Sequence, residues 1–177
     1  MLLASKFKPF WSGIEPPKDG RVIDARFRWN PDGPATDYDR ACDVDGYAGL
    51  ISVGAGVAIV LGEEPLPTTW QPLSDGGGLL VRLHTSETGD YPDTLPVPPP
   101  DLEWEAVGEF TTDGSPLVLF DSTESGAQPP IFPSLPIELA AGRYAVENAE
   151  WKHSLMELRL VRLRPHAVER DVMRRLS

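Results

Sequence analysis

Short apolar runs separated by glycine and proline limit what this chain can fold into. The 177 residues include 16 glycines and 19 prolines, and these residue types mark turns and interrupt helices and strands. The runs 49–53 and 57–61 flank Gly54-Ala55-Gly56, which predicts a β-hairpin. The second run is continuously apolar, as in a buried strand. Further strands are predicted at 79–84, 104–110, 117–120, 137–139, 143–146 and 155–163.

Helical signals are few. Residues 36–42 predict a short helix that begins at an N-cap residue, either Thr36 or Asp37. Residues 166–176 predict a short basic helix at the end of the chain. Together with the strands, these patterns predict a mainly β to α+β protein, with antiparallel sheets arranged like a sandwich and one or two short helices.

Other parts of the chain predict irregular structure. Residues 1–36 carry repeated turn signals, with an alternation that allows one edge strand at 21–29. Five prolines within residues 91–102 favour a polyproline conformation that cannot join the centre of a sheet. The length fits a single domain, 1–177, in which this proline-rich loop either lies on the surface or divides two β-rich halves. At Val161 the apolar alternation changes phase, which predicts a β-bulge.

The charge is distributed unevenly. The 16 Lys and Arg residues and the 27 Asp and Glu residues give a net charge of −11, which argues against binding to a nucleic-acid backbone. Residues 83–142 contain eleven acidic residues and no lysine or arginine, whereas the rest of the chain is neutral. Such a stretch is either a solvated face that maintains solubility or a surface that attracts a basic partner. Alternatively, the basic tail, residues 152–177, folds against it and neutralises part of it.

The sequence contains no recognisable motif for catalysis, metal binding or a cofactor. The acidic residues around Cys42 raise a thiol pKa and weaken it as a nucleophile. Asp43-Val44-Asp45-Gly46 matches only part of a calcium loop. Glu63 and Glu64 are more typical of an exposed strand exit than of a catalytic pair. We therefore expect no enzyme activity, no metal and no cofactor. The alternatives are an enzyme with an unrecognised carboxylate site and a small-molecule-binding β domain.

Targeting signals are also not evident. No apolar run approaches the ~20 residues of a membrane span, and the first residues lack the basic-then-apolar order of a signal peptide. One cysteine excludes an internal disulfide. We expect a soluble, intracellular protein that binds neither membrane nor nucleic acid.

Trp104 is flanked by Glu103 and Glu105 within the acidic stretch. Tryptophan often anchors protein interfaces, and a ring of acidic side chains complements a basic partner. We therefore predict that a protein partner contacts this region, with secondary contacts near the predicted helix and after the 57–61 strand. The candidate partner-binding residues are Asp90, Asp93, Asp101, Glu103, Trp104, Glu105, Glu109, Asp37, Asp39, Glu63 and Glu64.

Four runs carry a family resemblance. They are Thr36-Asp37-Tyr38-Asp39-Arg40-Ala41-Cys42, Gly54-Ala55-Gly56-Val57-Ala58-Ile59-Val60-Leu61-Gly62-Glu63-Glu64-Pro65, Thr69-Trp70 and Gly77-Gly78-Leu79-Leu80-Val81-Arg82. In this order they resemble the immunity protein 21 family of bacterial polymorphic toxin systems, with one departure, since the family usually has an aspartate where this chain has Glu63. The resemblance implies a cytoplasmic protein that binds and occludes a cognate toxin, without catalytic residues or a cofactor. A basic nuclease is one toxin that would suit the acidic stretch.

Overall fold

The computed structural model describes residues 1–62, 65–87, 95 and 97–166. Within these residues the chain forms ten strands, one 3₁₀-helix (Ser5–Phe10) and one α-helix, α1 (Asp37–Cys42). Neither of these helices is long and apolar enough to cross a membrane. The strands are β1 (Leu2–Ala4), β2 (Ala48–Val53), β3 (Gly56–Leu61), β4 (Thr68–Pro72), β5 (Gly78–Ser86), β6 (Glu105–Thr112), β7 (Leu117–Leu119), β8 (Leu135–Ile137), β9 (Gly142–His153) and β10 (Met156–Pro165).

The strands form two five-stranded sheets in which all neighbours are antiparallel. The first sheet has the order β2-β3-β1-β7-β8, and the second has the order β4-β5-β10-β9-β6. The predicted hairpin is confirmed, because β2 pairs with β3 across a turn at Gly54 and Ala55. The mainly β, sandwich-like class with short helices is confirmed as well.

The core lies between the two sheets. Leu2 and Ile59 of the first sheet belong to the same apolar cluster as Leu80 and Val161 of the second. The opposite faces of the sheets are also apolar and covered, so neighbouring residues of one strand are buried on both sides. This explains why the 57–61 run is continuously apolar rather than alternating.

Each outer face has its own cover. α1 and Trp11 cover the outer face of the first sheet, where Leu3 and Val60 are buried. Leu95 and Leu102 of the proline-rich loop, together with Trp104, pack against the outer face of the second sheet.

The prediction of irregular structure for residues 1–36 is wrong at β1. This three-residue strand lies between β3 and β7 in the middle of the first sheet, and both Leu2 and Leu3 are fully buried. A strand of three residues is too short for a period-two pattern to show in the sequence. The edge strand predicted at 21–29 is wrong too, because backbone amides of this segment bind carboxylates of residues in and beside α1 instead of a neighbouring strand.

The apolar alternation in residues 155–163 changes phase at Val161, but the structure has no bulge at that residue. The register of β10 against β5 shifts between Glu157 and Leu158. Leu160 faces the outer cluster, whereas Val161 faces the cluster between the sheets. Burial on both faces therefore breaks the alternation. The helix predicted at 166–176 lies outside the described residues beyond His166.

Candidate functional site

Three carboxylates are exposed where the acidic stretch enters β6. Asp101, Glu103 and Glu105 are exposed, whereas Leu102 and Trp104 between them are half-buried against the second sheet. This alternation follows the two-residue period of an extended chain. None of the three carboxylates forms an ion pair or a hydrogen bond with the described part of the chain. We call Asp101, Glu103 and Glu105 the acidic surface.

Trp104 stacks on a cationic side chain of the second sheet. The Cζ atom of Arg162 lies 4.0 Å from the centroid of the Trp104 ring, within the range of a cation–π contact. Arg162 and Arg164 of β10 bind Glu147 of β9 at 2.8 and 3.0 Å. Burial alone would raise the pKa of Glu147, but the hydrogen bonds and charges of the two arginines outweigh it and lower that pKa. Trp104 thus fastens the segment that carries the acidic surface to an ordered ion-pair network.

Glu109 is exposed but already paired. Its carboxylate accepts a hydrogen bond from Arg143 at 2.5 Å and lies 3.2 Å from Nε2 of His166. The hydrogen bond and the charge of Arg143 lower the pKa of Glu109. The described lysine and arginine side chains of residues 152–166 pair instead with Glu147, Glu150 and Glu157, which lie outside the acidic stretch. Neutralisation of the stretch by the basic tail therefore stays a prediction.

Asp37 is separated from the acidic surface. It is fully buried at the start of α1, on the outer face of the first sheet, and therefore on the opposite side of the sandwich from Leu102 and Trp104. Its carboxylate accepts hydrogen bonds from the amide and the hydroxyl of Ser12, each at 2.9 Å. It also pairs with Arg21 at 2.5 Å and with Arg40 at 2.9 Å. Asp37 therefore joins distant segments of the chain to the helix.

Asp39 is also buried, in a capping box at the start of α1. The hydroxyl of Thr36 accepts from the Asp39 amide, and the Asp39 carboxylate accepts from the Thr36 amide at 2.8 Å. The Trp29 amide donates to the same carboxylate at 2.7 Å. Burial alone would raise the pKa of Asp39, but these hydrogen bonds and the charge of Arg28 outweigh it and lower the pKa. Thr36, not Asp37, is the N-cap residue.

The structure thus brings some of the predicted contact residues together and separates others. Those on and before β6 lie in one region, and Asp37 and Asp39 lie on the other side of the sandwich. Four further predicted contacts lie outside the described residues: Glu63, Glu64, Asp90 and Asp93.

Cys42 is exposed at the end of α1. Partial burial of the thiol and then the charges of Asp39 and Asp43 raise its pKa, and they outweigh the opposite effect of a hydrogen bond with Tyr38. Burial, followed by the same hydrogen bond, raises the pKa of Tyr38 to about 12. Both groups therefore stay protonated near neutral pH, which makes Cys42 a poor nucleophile, as its acidic neighbours predicted.

A surface depression of about 340 Å³ lies near the start of β7. Gly114, Pro116, Leu139, Ala140 and Glu138 line it. Glu138 is the one ionisable group of this lining, so the depression offers a single carboxylate and not the acid and base pair that general acid–base catalysis commonly uses.

Comparison with known families shows what the chain is related to. The sequence model of the family described as immunity protein 21 matches residues 1–155. The chain belongs to the immunity protein 21 family. No curated protein and no solved structure matches it.

The immunity protein 21 match confirms the family predicted from the four sequence runs. It extends from β1 through β9 and ends in the turn before β10, so it includes α1 and the acidic surface. Immunity proteins act against toxins. Membership of the family therefore implies a cognate toxin as the partner and an inhibitory role that does not require catalysis.

Proposed function

We propose that this protein neutralises its cognate toxin in the cytoplasm by binding a basic toxin domain, such as a nuclease, and occluding it. The toxin docks on the acidic surface. The observation that carries this proposal is that Asp101, Glu103 and Glu105 are exposed and have no ion pair within the described part of the chain. A basic partner can therefore bind them without breaking an internal contact.

The packing of the side chains between the three acids favours a role of the acidic surface in toxin binding. Leu102 and Trp104 pack against the second sheet, and the Trp104 ring stacks on Arg162. The backbone between the carboxylates is therefore already ordered before a partner arrives. Binding to a preorganised surface loses less conformational entropy than binding to a mobile loop. In this proposal Trp104 positions the acidic surface and contributes the edge of its ring to the contact.

The other predicted contact residues contribute unequally. Glu109 follows the acidic surface on β6, but its pairing with Arg143 reduces the charge that it presents. Asp90 and Asp93 remain sequence-based candidates for extending the acidic surface, and Glu63 and Glu64 remain candidates for a separate contact. Asp37 and Asp39 support the contact only indirectly, through the fold.

The acidic surface acts first on the rate of encounter. Like-signed exposed charges attract an oppositely charged partner over about a Debye length and raise the association rate constant. We expect the triple variant Asp101→Asn, Glu103→Gln, Glu105→Gln to associate several-fold more slowly at low salt. The probe is the toxic domain encoded by the neighbouring gene, in a catalytically inactive form, and stopped-flow mixing measures the rate. At ~0.5 M salt, where the Debye length is only about 4 Å, the wild type should slow to the rate of the variant.

The matched control removes three charges elsewhere. Asp24→Asn, Asp32→Asn, Glu138→Gln changes the net charge by the same amount, and all three residues are exposed. If both triple variants slow association equally, only the net charge matters and the acidic surface is not the docking site. If the association rate of the wild type does not depend on salt, electrostatic attraction does not accelerate the encounter. If the wild type does not bind the toxin domain, the proposed function is wrong.

A further inference from the structure

β6 lies at one edge of the second sheet and, among the described strands, hydrogen-bonds with β9 alone. The amide of His166 donates to the carbonyl of Arg143 at 2.9 Å, so the backbone groups of Arg143 point towards β10 and away from β6. Thr111 lies opposite Arg143 on β6, and its amide and carbonyl therefore point away from β9, to the open side of the sheet. Since this direction alternates along a strand, the backbone groups of Glu109 point the same way.

The open side of β6 is accessible beyond a bulge. The register against β9 shifts between Ala106 and Gly108, and Leu50 of β2 packs there so closely that a Cβ atom on Gly108 would lie 2.7 Å from Cδ1 of Leu50. Past the bulge, Glu109 and Thr111 are exposed, and no strand of the described chain pairs with them on this side. An accessible edge of this kind is a template for a further strand.

The other three edge strands have features that hinder such pairing. By the same alternation, Pro72 of β4 and Pro136 of β8 take positions that point to the open side, and proline has no amide to donate there. On β2, Arg40 donates to the carbonyl of Ser52 at 2.7 Å and so occupies a group that a further strand would need. β6 contains no proline. Within the described residues, β6 is therefore the edge best suited to accept a strand.

The charge around β6 indicates which strand it can accept. Lysine and arginine side chains beside β6 are in ion pairs: Arg143 with Glu109, Lys6 with Asp113, and both Arg162 and Arg164 with Glu147. These four cations face three carboxylates, and the acidic surface adds three more that have no ion pair in the described part of the chain. Even with His166 counted as positive, the surroundings of β6 are net negative. A second copy would therefore bring like charges together, whereas a basic strand complements this edge.

We propose that the toxin adds one strand to the open edge of β6, where its backbone pairs with Glu109 and Thr111 and its basic side chains reach towards the acidic surface. Main-chain hydrogen bonds supply affinity in such strand addition, and side chains along the strand supply specificity. Residues 105 to 111 span about 20 Å of extended chain, so one short toxin segment can contact both places. This inference rests on the proposed function, because it describes how the toxin docks.

Hydrogen exchange of the full chain, alone and with the inactive toxin domain encoded by the neighbouring gene, measures the pairing directly. In the free protein the amides of Glu109 and Thr111 should exchange rapidly, because they point to the open side, whereas those of Phe110 and Thr112, which point towards β9, should be protected. With the toxin domain bound, exchange of the first two amides should slow by at least about tenfold.

Three results of the exchange experiment would overturn the inference. Toxin binding that leaves the exchange of Glu109 and Thr111 unchanged contradicts strand addition but leaves the proposed function standing. Protection of these amides in the free protein that increases with its concentration would show that a second copy occupies the edge. Absence of toxin binding contradicts both the proposed function and the strand addition.

A pair of variants separates the backbone of β6 from its side chains. Thr111→Pro removes an amide on the open side and should raise the dissociation constant for the toxin domain at least about tenfold. Thr111→Val keeps the amide and removes the hydroxyl, so it should bind within about twofold of the wild type. Equal affinities of all three proteins would show that the toxin does not pair with this edge. Far-UV circular dichroism and protection of the Phe110 amide establish that the proline variant keeps the β6–β9 pairing, and if it does not fold, the exchange experiment on the wild type decides.

Discussion

Asp39 and Glu103 carry the same charge in very different surroundings. Asp39 is buried and receives hydrogen bonds from two backbone amides and a hydroxyl. Glu103 is exposed and has no partner in the described part of the chain. A buried carboxylate is stable only when donors replace its lost hydration, so Asp39 is committed to the fold. Glu103 keeps its hydration and remains available to a partner.

Asp39→Asn tests this division at the scale of the residue. Because the amide group cannot accept the same set of charge-assisted hydrogen bonds, we expect a loss of about 2 kcal/mol in the free energy of unfolding at pH 7. The folded pKa of Asp39 lies below its unfolded value. The carboxylate therefore stabilises the fold above an unfolded pKa of about 3.9, and this stabilisation disappears as the pH falls through the folded pKa. Urea unfolding at pH 7 and at lower pH measures both effects.

The difference between Asp39→Asn and the wild type should accordingly shrink as the pH approaches the folded pKa. Asp32→Asn is the control, because Asp32 is exposed, and surface substitutions usually change the free energy of unfolding by less than about 0.5 kcal/mol. A loss that is equal at neutral and acidic pH would contradict an ionised Asp39.

At the scale of the element, β1 and α1 are short, but each connects parts of the chain that are far apart in sequence. β1 has three residues, yet it joins β3 to β7 and so connects the two halves of the first sheet. α1 has six residues, yet carboxylates in and beside it hold the irregular segment 12–35. Elements this short are marginal in isolation. Their stability comes from the contacts that the rest of the chain makes with them.

Leu3→Ala tests the central position of β1. Leu3 is fully buried against the cover of the first sheet, so truncation leaves a cavity and should lower the free energy of unfolding by about 2–5 kcal/mol. The control is Leu155→Ala, which removes the same atoms from a side chain that is 50% exposed in the turn before β10. Equal, small losses for both variants in urea unfolding would show that β1 is dispensable to the first sheet.

At the scale of the whole molecule, the two sheets separate the support of the acidic surface from α1. Leu102 and Trp104, which alternate with the acidic surface, belong to the cover of the second sheet, and α1 belongs to the cover of the first. The core between the sheets separates them. Distant sites without shared contacts usually have additive effects. The loss of stability in Asp39→Asn and the slower association of the acidic-surface triple variant should therefore be independent.

Combining Asp39→Asn with the acidic-surface triple variant tests this independence. The triple variant should unfold at about the same urea concentration as the wild type, and Asp39→Asn should associate with the toxin domain at the wild-type rate at pH 7. The combined variant should show both defects, each unchanged in size. Urea unfolding and stopped-flow mixing measure the two properties separately. An interaction between the defects of more than about 0.5 kcal/mol would show that the two sites are coupled.

Local patterns in the sequence predicted those parts of the fold that depend on neighbouring residues. The β2–β3 hairpin follows from its apolar runs and turn glycines, and α1 follows from Thr36 and its capping partner. The acidic stretch was also evident, because charge can be read directly from the chain. β1 could not be predicted, since three residues show no period. The edge strand predicted at 21–29 is wrong, because the apolar alternation resembles a strand whereas the backbone amides donate to carboxylates.

The sequence by itself determined the mainly β class, the short helix, the position of the net charge and the family resemblance. All of these depend on residue type and on spacing along a few residues. Only the tertiary structure decided which carboxylates are buried and hydrogen-bonded inside the fold, as Asp37 is, and which face solvent, as Glu103 does. That decision depends on residues far apart in the chain, because the donors that allow a carboxylate to be buried, such as Ser12 and Arg21 for Asp37, are brought to it only by folding.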